Sequence, residues 1–235
     1  MIFPLVFLAA AAAAPGAAVV ASPQPAVYAH HAVSTADPQT QATFDRGLTL
    51  FYAYNGAEGV HVFQAIERRE PKLAMSYWGE ALSLGRDINT PLTQARFAAA
   101  HTAIEKAAAL EFGDTTAQER AYISAMRVRY AGNWSNRERD EAAYRTAMAA
   151  AVAENPRDND LAALYAEALL ENGGANRLWK SGTSQPAGSD SSTIVNVLDG
   201  IIAREPTHIM ANHLLIHVFE PSTDRTRALV AARRL

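Results

Sequence analysis

Apolar positions recur every three or four residues along most of the chain, the spacing that places them on one face of an α-helix. Phe44, Gly47, Leu48, Leu50 and Phe51 form the first stripe, and after a break at 52–56 Val60, Phe63 and Ile66 form a second that Pro71 stops. Tyr77, Trp78, Ala81 and Leu84 predict a third helix over 74–84, ended by Gly85 and the turn residues Asp87 and Asn89. Thr90 with Pro91 is expected to start an alanine-rich helix reaching Leu110. Thr116 and Glu119 have the spacing of a capping box, which predicts a helix over 117–130 closed by Gly132 and Asn133. Ser135 opens the next, which Asn155 and Pro156 end, and Asp158 or Asp160 caps one over 161–171. Ile194, Leu198 and Ile201 mark a helix over 191–203 before Pro206, followed by helices over 209–219 and from Ser222 onward. The expected fold class is all-α.

The stretches between carry little helical pattern. Residues 22–38 are rich in Pro, Ser and Ala and read as an extended lead-in, with His30 and His31 solvated within it. Residues 173–190 form the longest loop, rich in Gly, Ser and Pro, where Trp179 is expected to tether the loop to the core. Residues 1–21 are uncharged and apolar and end on small residues near Ala21, the pattern of a cleaved signal peptide. This predicts export to the periplasm or beyond and no stable membrane insertion after cleavage.

Composition narrows the chemistry. With 235 residues and 49% hydrophobic content, the chain can bury a substantial core. A formal net charge of −3 gives no general attraction to phosphate backbones, so nucleic acid is not an expected partner. The absence of cysteine removes disulfides, thiolate metal sites and a cysteine nucleophile.

The proline stops repeat in register. Gly59, Phe63, Ile66 and Pro71, then Tyr144, Met148, Ala151 and Pro156, then Ile194, Leu198, Ile201 and Pro206 share one spacing of four, three and five residues. This resembles the second helix of the tetratricopeptide repeat of about 34 residues, and Gly47 and Leu50 stand where its first helix places a small residue and an aromatic one. The chain further resembles a largely uncharacterised group of exported bacterial tetratricopeptide-repeat (TPR) proteins, through AMSYWGEALSLGRDIN at 74–89 and EPTHIMANHLLIHVFEPS at 205–222. The resemblance covers most of 39–235. It implies a TPR-like α-solenoid of antiparallel helix pairs with a concave groove. The chain departs from the group in having Asn55-Gly56 where relatives have Asn-His, and in lacking a further histidine-rich segment, so it is expected to be C-terminally short.

Two functions from different classes follow. An exported scaffold would hold a peptide or protein partner in its groove, with Phe44, Trp78, Asn89, His213, His217 and Glu220 as contact residues. Alternatively, His213 and His217, four apart on one helix, with Glu220 three further on, would bind a divalent transition metal, zinc or copper, in a metal-binding protein or metalloenzyme. No nucleophile elbow or phosphate-cradling glycine loop is present, and Glu58, Glu67, Glu80, Glu105 and Glu167 read as solvated helix residues. His101 reads as a packed or surface histidine.

Overall fold

The computed structural model describes residues 29–172 and 177–235. The signal-like segment 1–21, the lead-in up to residue 28 and residues 173–176 of the long loop lie outside the described residues. Among those described the protein is helical throughout: α1 (Pro38–Tyr52), α2 (Gly56–Arg69), α3 (Ala74–Leu84), α4 (Gln94–Leu110), α5 (Ala117–Arg129), α6 (Arg137–Glu154), α7 (Asn159–Glu171), α8 (Ser189–Arg204), α9 (Ile209–Phe219) and α10 (Arg225–Ala232). Each helix packs against the next along the whole series.

Three of the joins are copies of one turn. Glu70, Asn155 and Glu205, each just ahead of a proline, leave the helix at φ/ψ of −128°/73°, −124°/61° and −141°/84°. Proline drives its preceding residue out of the α region, so the helix ends there. The next helix then begins from Leu73, Asp158 or His208, whose N–H donates back to the carbonyl ahead of the proline at 3.0, 3.0 and 3.1 Å respectively. Phe63 and Ile66, Tyr144 and Met148, and Ile194, Leu198 and Ile201 are all buried, so the repeated spacing is also a repeated packing face.

Phe63 shows how tightly neighbouring helices approach. A Cβ on Gly47 of α1 would lie 2.8 Å from the Phe63 ring, and one on Gly79 of α3 would overlap it. The ring of α2 thus sits between two helices that come close only because those positions lack side chains.

Local side chains moved two expected boundaries. The fourth helix begins at Gln94, not Thr90, because Asp87 accepts the N–H groups of both Asn89 and Thr90 at 2.7 Å and holds them in a turn, while Thr93 caps the helix by accepting from Arg96 at 3.2 Å. The last helix is shorter than expected because Ser222 closes α9 instead, donating to Phe219 O at 2.9 Å and accepting from Asp224 N at 3.1 Å.

The odd-numbered helices form an inner ring. α1 packs on α3, α3 on α5, α7 on α9, and α9 returns to α1. Side chains complete the circuit between α5 and α7: Tyr122 donates to Asp158 at 2.7 Å, and Arg129 to Glu171 at 2.7 Å. The inner helices α3 and α7 are buried on nearly every face, which their near-continuous apolar sequences permit.

Candidate functional site

Two polar clusters lie within this ring. The first is built from the starts of α5, α7 and α9 together with the lead-in. His31, expected to be solvated, is buried there, its ring edge-on to Tyr122 at 5.0 Å and its Nδ1 2.8 Å from Asp160 Oδ2. His30 next to it stays exposed beside Asp45. Asp160 also accepts from the Tyr52 hydroxyl at 2.5 Å, and its Oδ1 lies 3.3 Å from His208 Nε2. Asp158 accepts from Tyr122 at 2.7 Å, from Gln118 at 2.6 Å and from Leu161 N at 2.9 Å, the last being the N-cap bond of α7. Glu119 closes the capping box of α5 and accepts both the N–H and the hydroxyl of Ser34.

The electrostatics follow from this geometry. Burial opposes ionisation of Asp160, but the His208 and His31 imidazoles outweigh it and hold its pKa far below the usual carboxylate range. Burial likewise opposes charge on His31, yet Asp160, with Asp158 and Glu119 nearby, raises its pKa. Ligand-type atoms of His31, Asp158 and Asp160 lie within 4.8 Å of one another, close enough to surround a cation. Their oxygens already accept tyrosine, histidine, glutamine and backbone donors, so a cation would have to displace those bonds. This cluster is a hydrogen-bonded lock.

The second cluster is built from the ends of α1, α5 and α7, the start of α6 and the body of α9. Tyr54, in the turn after α1, has φ +56°, a left-handed conformation rare for a residue with a large side chain. Its hydroxyl is buried with no hydrogen-bond partner. Glu167 and Glu171 are buried on α7, each with an Oε1 that has no partner. Glu171 Oε2 meets the buried Arg129 guanidinium at 2.7 Å, whose Nε reaches Glu141 at 3.1 Å. Burial pushes Glu171 up to about 7 although Arg129 pulls it down, and burial with the Glu171 charge also raises the Glu167 carboxyl well above the usual carboxylate range. The solvated role expected for Glu167 is therefore overturned: its position on an inner helix leaves no path to water.

His213 and His217 join this cluster through Tyr54, whose ring centre is 4.3 Å from the first imidazole and 5.7 Å from the second. His213 Nδ1 lies 2.6 Å from the Tyr52 carbonyl oxygen. A carbonyl only accepts, so Nδ1 carries the proton and Nε2 keeps its lone pair. That Nε2 is 3.2 Å from His217 Nε2. Burial lowers the pKa of His213 and so favours its neutral form. Both imidazoles line a cleft of about 480 Å³, with Tyr52, Ala53, Ile209, Ile216 and Leu235 among its walls.

The sequence-derived contact residues are thus dispersed. His213 and His217 come together on the cleft. Glu220 is on the same helix but exposed, with Oε1 3.6 Å from His217 Nδ1, the nitrogen turned away from His213. Phe44 and Trp78 are 0% and 1% exposed and belong to the core, where Phe44 packs on Phe63 and Trp78 on Tyr122. Their stripes face neighbouring helices, so neither offers a contact surface. Asn89 is exposed in the turn after α3 and is not among the residues that line the cleft.

Other aromatic and imidazole groups have structural roles. Trp179 donates to Val218 O at 2.7 Å and stacks near Phe219, tethering the long loop to α9. His101 bonds the Tyr130 carbonyl at 2.8 Å. Tyr54, Glu171 and His31 carry no periodic signal; the one local hint was Tyr54 standing before Asn55-Gly56, a turn sequence. No helix among the described residues is long and apolar enough to cross a membrane. No family model, no curated protein and no solved structure matches the chain.

Proposed function

We propose that the protein is an exported scaffold of the tetratricopeptide-repeat type that binds a peptide or protein segment, and that the segment lies in the cleft beside α1 and α9. The observation that carries this reading is the cleft itself. It is about 480 Å³ in volume, walled by Ala53, Ile209, Ile216 and Leu235 and edged by two imidazoles. An apolar trough with a few placed polar groups suits the side chains of a bound segment. The three identical proline joins support a repeat architecture, and the uncharged segment 1–21 supports export.

The lead-in illustrates how such a scaffold takes an extended chain. The N–H groups of Ala29, His31, Val33 and Ser34 donate to side chains of Thr49, Asp45, Gln41 and Glu119, at 2.9, 3.1, 3.0 and 2.7 Å. Helix side chains acting as acceptors for a strand-like segment would serve a foreign peptide equally well.

Selection of peptides from a displayed random library on the immobilised protein tests the reading. Enriched peptides should carry apolar side chains and bind Ile216→Asp at least tenfold more weakly, with Ser124→Asp on the exposed face of α5 unchanged. Peptides that bind Ile216→Asp as well as the parent would remove the cleft from the proposal.

A further inference from the structure

We propose that His213 and His217 hold a divalent transition-metal ion, zinc or copper, through their Nε2 atoms at the wall of the cleft. This inference is independent of peptide binding and is tested without a peptide.

The spacing of the two nitrogens is compatible with a ligand pair. An ion about 2.05 Å from each nitrogen, the usual zinc–imidazole distance, would span the observed 3.2 Å separation at an angle of about 103°. Lone pairs converging on such an ion would put the ring centres about 5.0 Å apart, and they lie 4.9 Å apart. A head-on N–H···N hydrogen bond of the same length would separate the centres by about 5.5 Å. The two nitrogens therefore do not meet head-on, and the separation is compatible with a shared ion.

Protonation points the same way. The Tyr52 carbonyl fixes the His213 proton on Nδ1, the outer-sphere arrangement that orients metal-bound histidines. Glu220 approaches His217 Nδ1 only to 3.6 Å, beyond hydrogen-bond length. With the His213 proton on Nδ1, the 3.2 Å contact is a hydrogen bond in which His217 Nε2–H donates to the His213 Nε2 lone pair, and an ion would take the place of that one shared proton. Glu220 lies on the Nδ1 side of His217, away from the two Nε2 atoms, and so is not placed as a third ligand. Tyr54 packs against both rings, stacked on His217 and tilted on His213, and limits their movement.

The donor set selects the ion. Two imidazoles without thiolate suit zinc or copper over calcium or magnesium, which prefer oxygen. Because both histidines line the cleft, the remaining coordination positions open onto it. Water or a coordinating group of a bound ligand, a carboxylate or an imidazole, would fill them.

Calorimetric titration of tag-free, chelator-treated protein with zinc chloride and copper sulfate tests the site. One ion per chain is expected to bind at micromolar affinity or tighter. His213→Asn and His217→Gln should each weaken binding at least thirtyfold, whereas Glu220→Gln keeps the stoichiometry and weakens it no more than about tenfold. Circular dichroism establishes that each variant is folded. The copper-loaded parent should show electron paramagnetic coupling to two imidazole nitrogens. No stoichiometric ion, or undiminished binding in folded His217→Gln, would overturn the assignment, the second outcome placing the ion elsewhere.

Discussion

Tyr52 and Tyr54 are two residues apart and meet opposite fates. The hydroxyl of Tyr52 ends on the Asp160 carboxylate at 2.5 Å, inside a cluster whose carboxylates are fully engaged. The hydroxyl of Tyr54 is buried beside α7 with no partner, near two glutamates that each leave an oxygen unpaired. The first cluster joins helix starts, where orphan backbone N–H groups already call for acceptors, so its acids also cap and cross-link. The second stands where backbone strain at Tyr54 coincides with an unpaired hydroxyl and two unpaired carboxylate oxygens, whereas the one unpaired atom of the first is His208 Nε2. Strain and unpaired buried groups cost stability where they occur, so the difference separates a satisfied fastening from a strained cluster, the one beside the proposed site.

Breaking the fastening should have the largest effect. Asp160→Ala leaves His31 and Tyr52 without their shared acceptor and His208 without its charge partner, and is expected to cost about 3–5 kcal/mol, the range for one partner removed from a buried ion pair. The loss has a pH signature. The folded pKa of Asp160 is depressed, so its contribution is present above the ordinary value of 3.8 and disappears as pH falls through the lower folded value. That of His31 is raised, so its contribution is present below 6.5 and disappears as pH rises through the higher folded value. Urea denaturation across pH should therefore show the largest gap between parent and variant between those limits, narrowing in acid and in alkali. A pH-independent gap would mean that packing, not charge, carries the cluster.

What the sequence made legible follows the range of each interaction. The limits of α3 and α9 were readable because proline, glycine and caps act within a few residues, and the capping box at Thr116 and Glu119 formed as its spacing implied. The partnership of His31 with Asp160 spans 129 positions, and nothing local announces it. Among site residues, His213 and His217 were readable because a spacing of four on one helix forces them together. Periodicity identified the Phe44 and Trp78 stripes but could not say whether they faced a groove or a neighbouring helix. Glu167 and Tyr54 were missed for a related reason: burial of a polar side chain depends on which helices become the inner ring, a property of the whole array.

A smaller perturbation tests one bond of the fastening. Tyr52→Phe keeps the ring in the core and deletes only the donor to Asp160, so thermal and urea denaturation should show a loss of about 1.5–3 kcal/mol, as for hydrogen bonds to a charged group. A loss well under 1 kcal/mol would mean that His31 and His208 satisfy Asp160 unaided.

Tyr54→Phe, the same chemical change two positions along, should do almost nothing to stability. The hydroxyl it removes has no hydrogen bond to lose, and burial together with the Glu167, Glu171 and Asp87 charges already holds its phenol fully protonated with its pKa far above 10. Replacing an unpaired buried polar group by an apolar one of the same shape is neutral or stabilising, so the change is expected to fall between no effect and a gain of about 1 kcal/mol. The stack on His213 and His217 needs only the ring, so zinc affinity should stay within about threefold of the parent if the hydroxyl is not itself a ligand. Denaturation and zinc titration of this one variant thus read the two halves of the comparison separately. A loss above 1 kcal/mol would give the hydroxyl a partner in the folded protein and erase the contrast with Tyr52. Unchanged stability with zinc affinity lowered tenfold would instead draw Tyr54 into the metal's coordination shell.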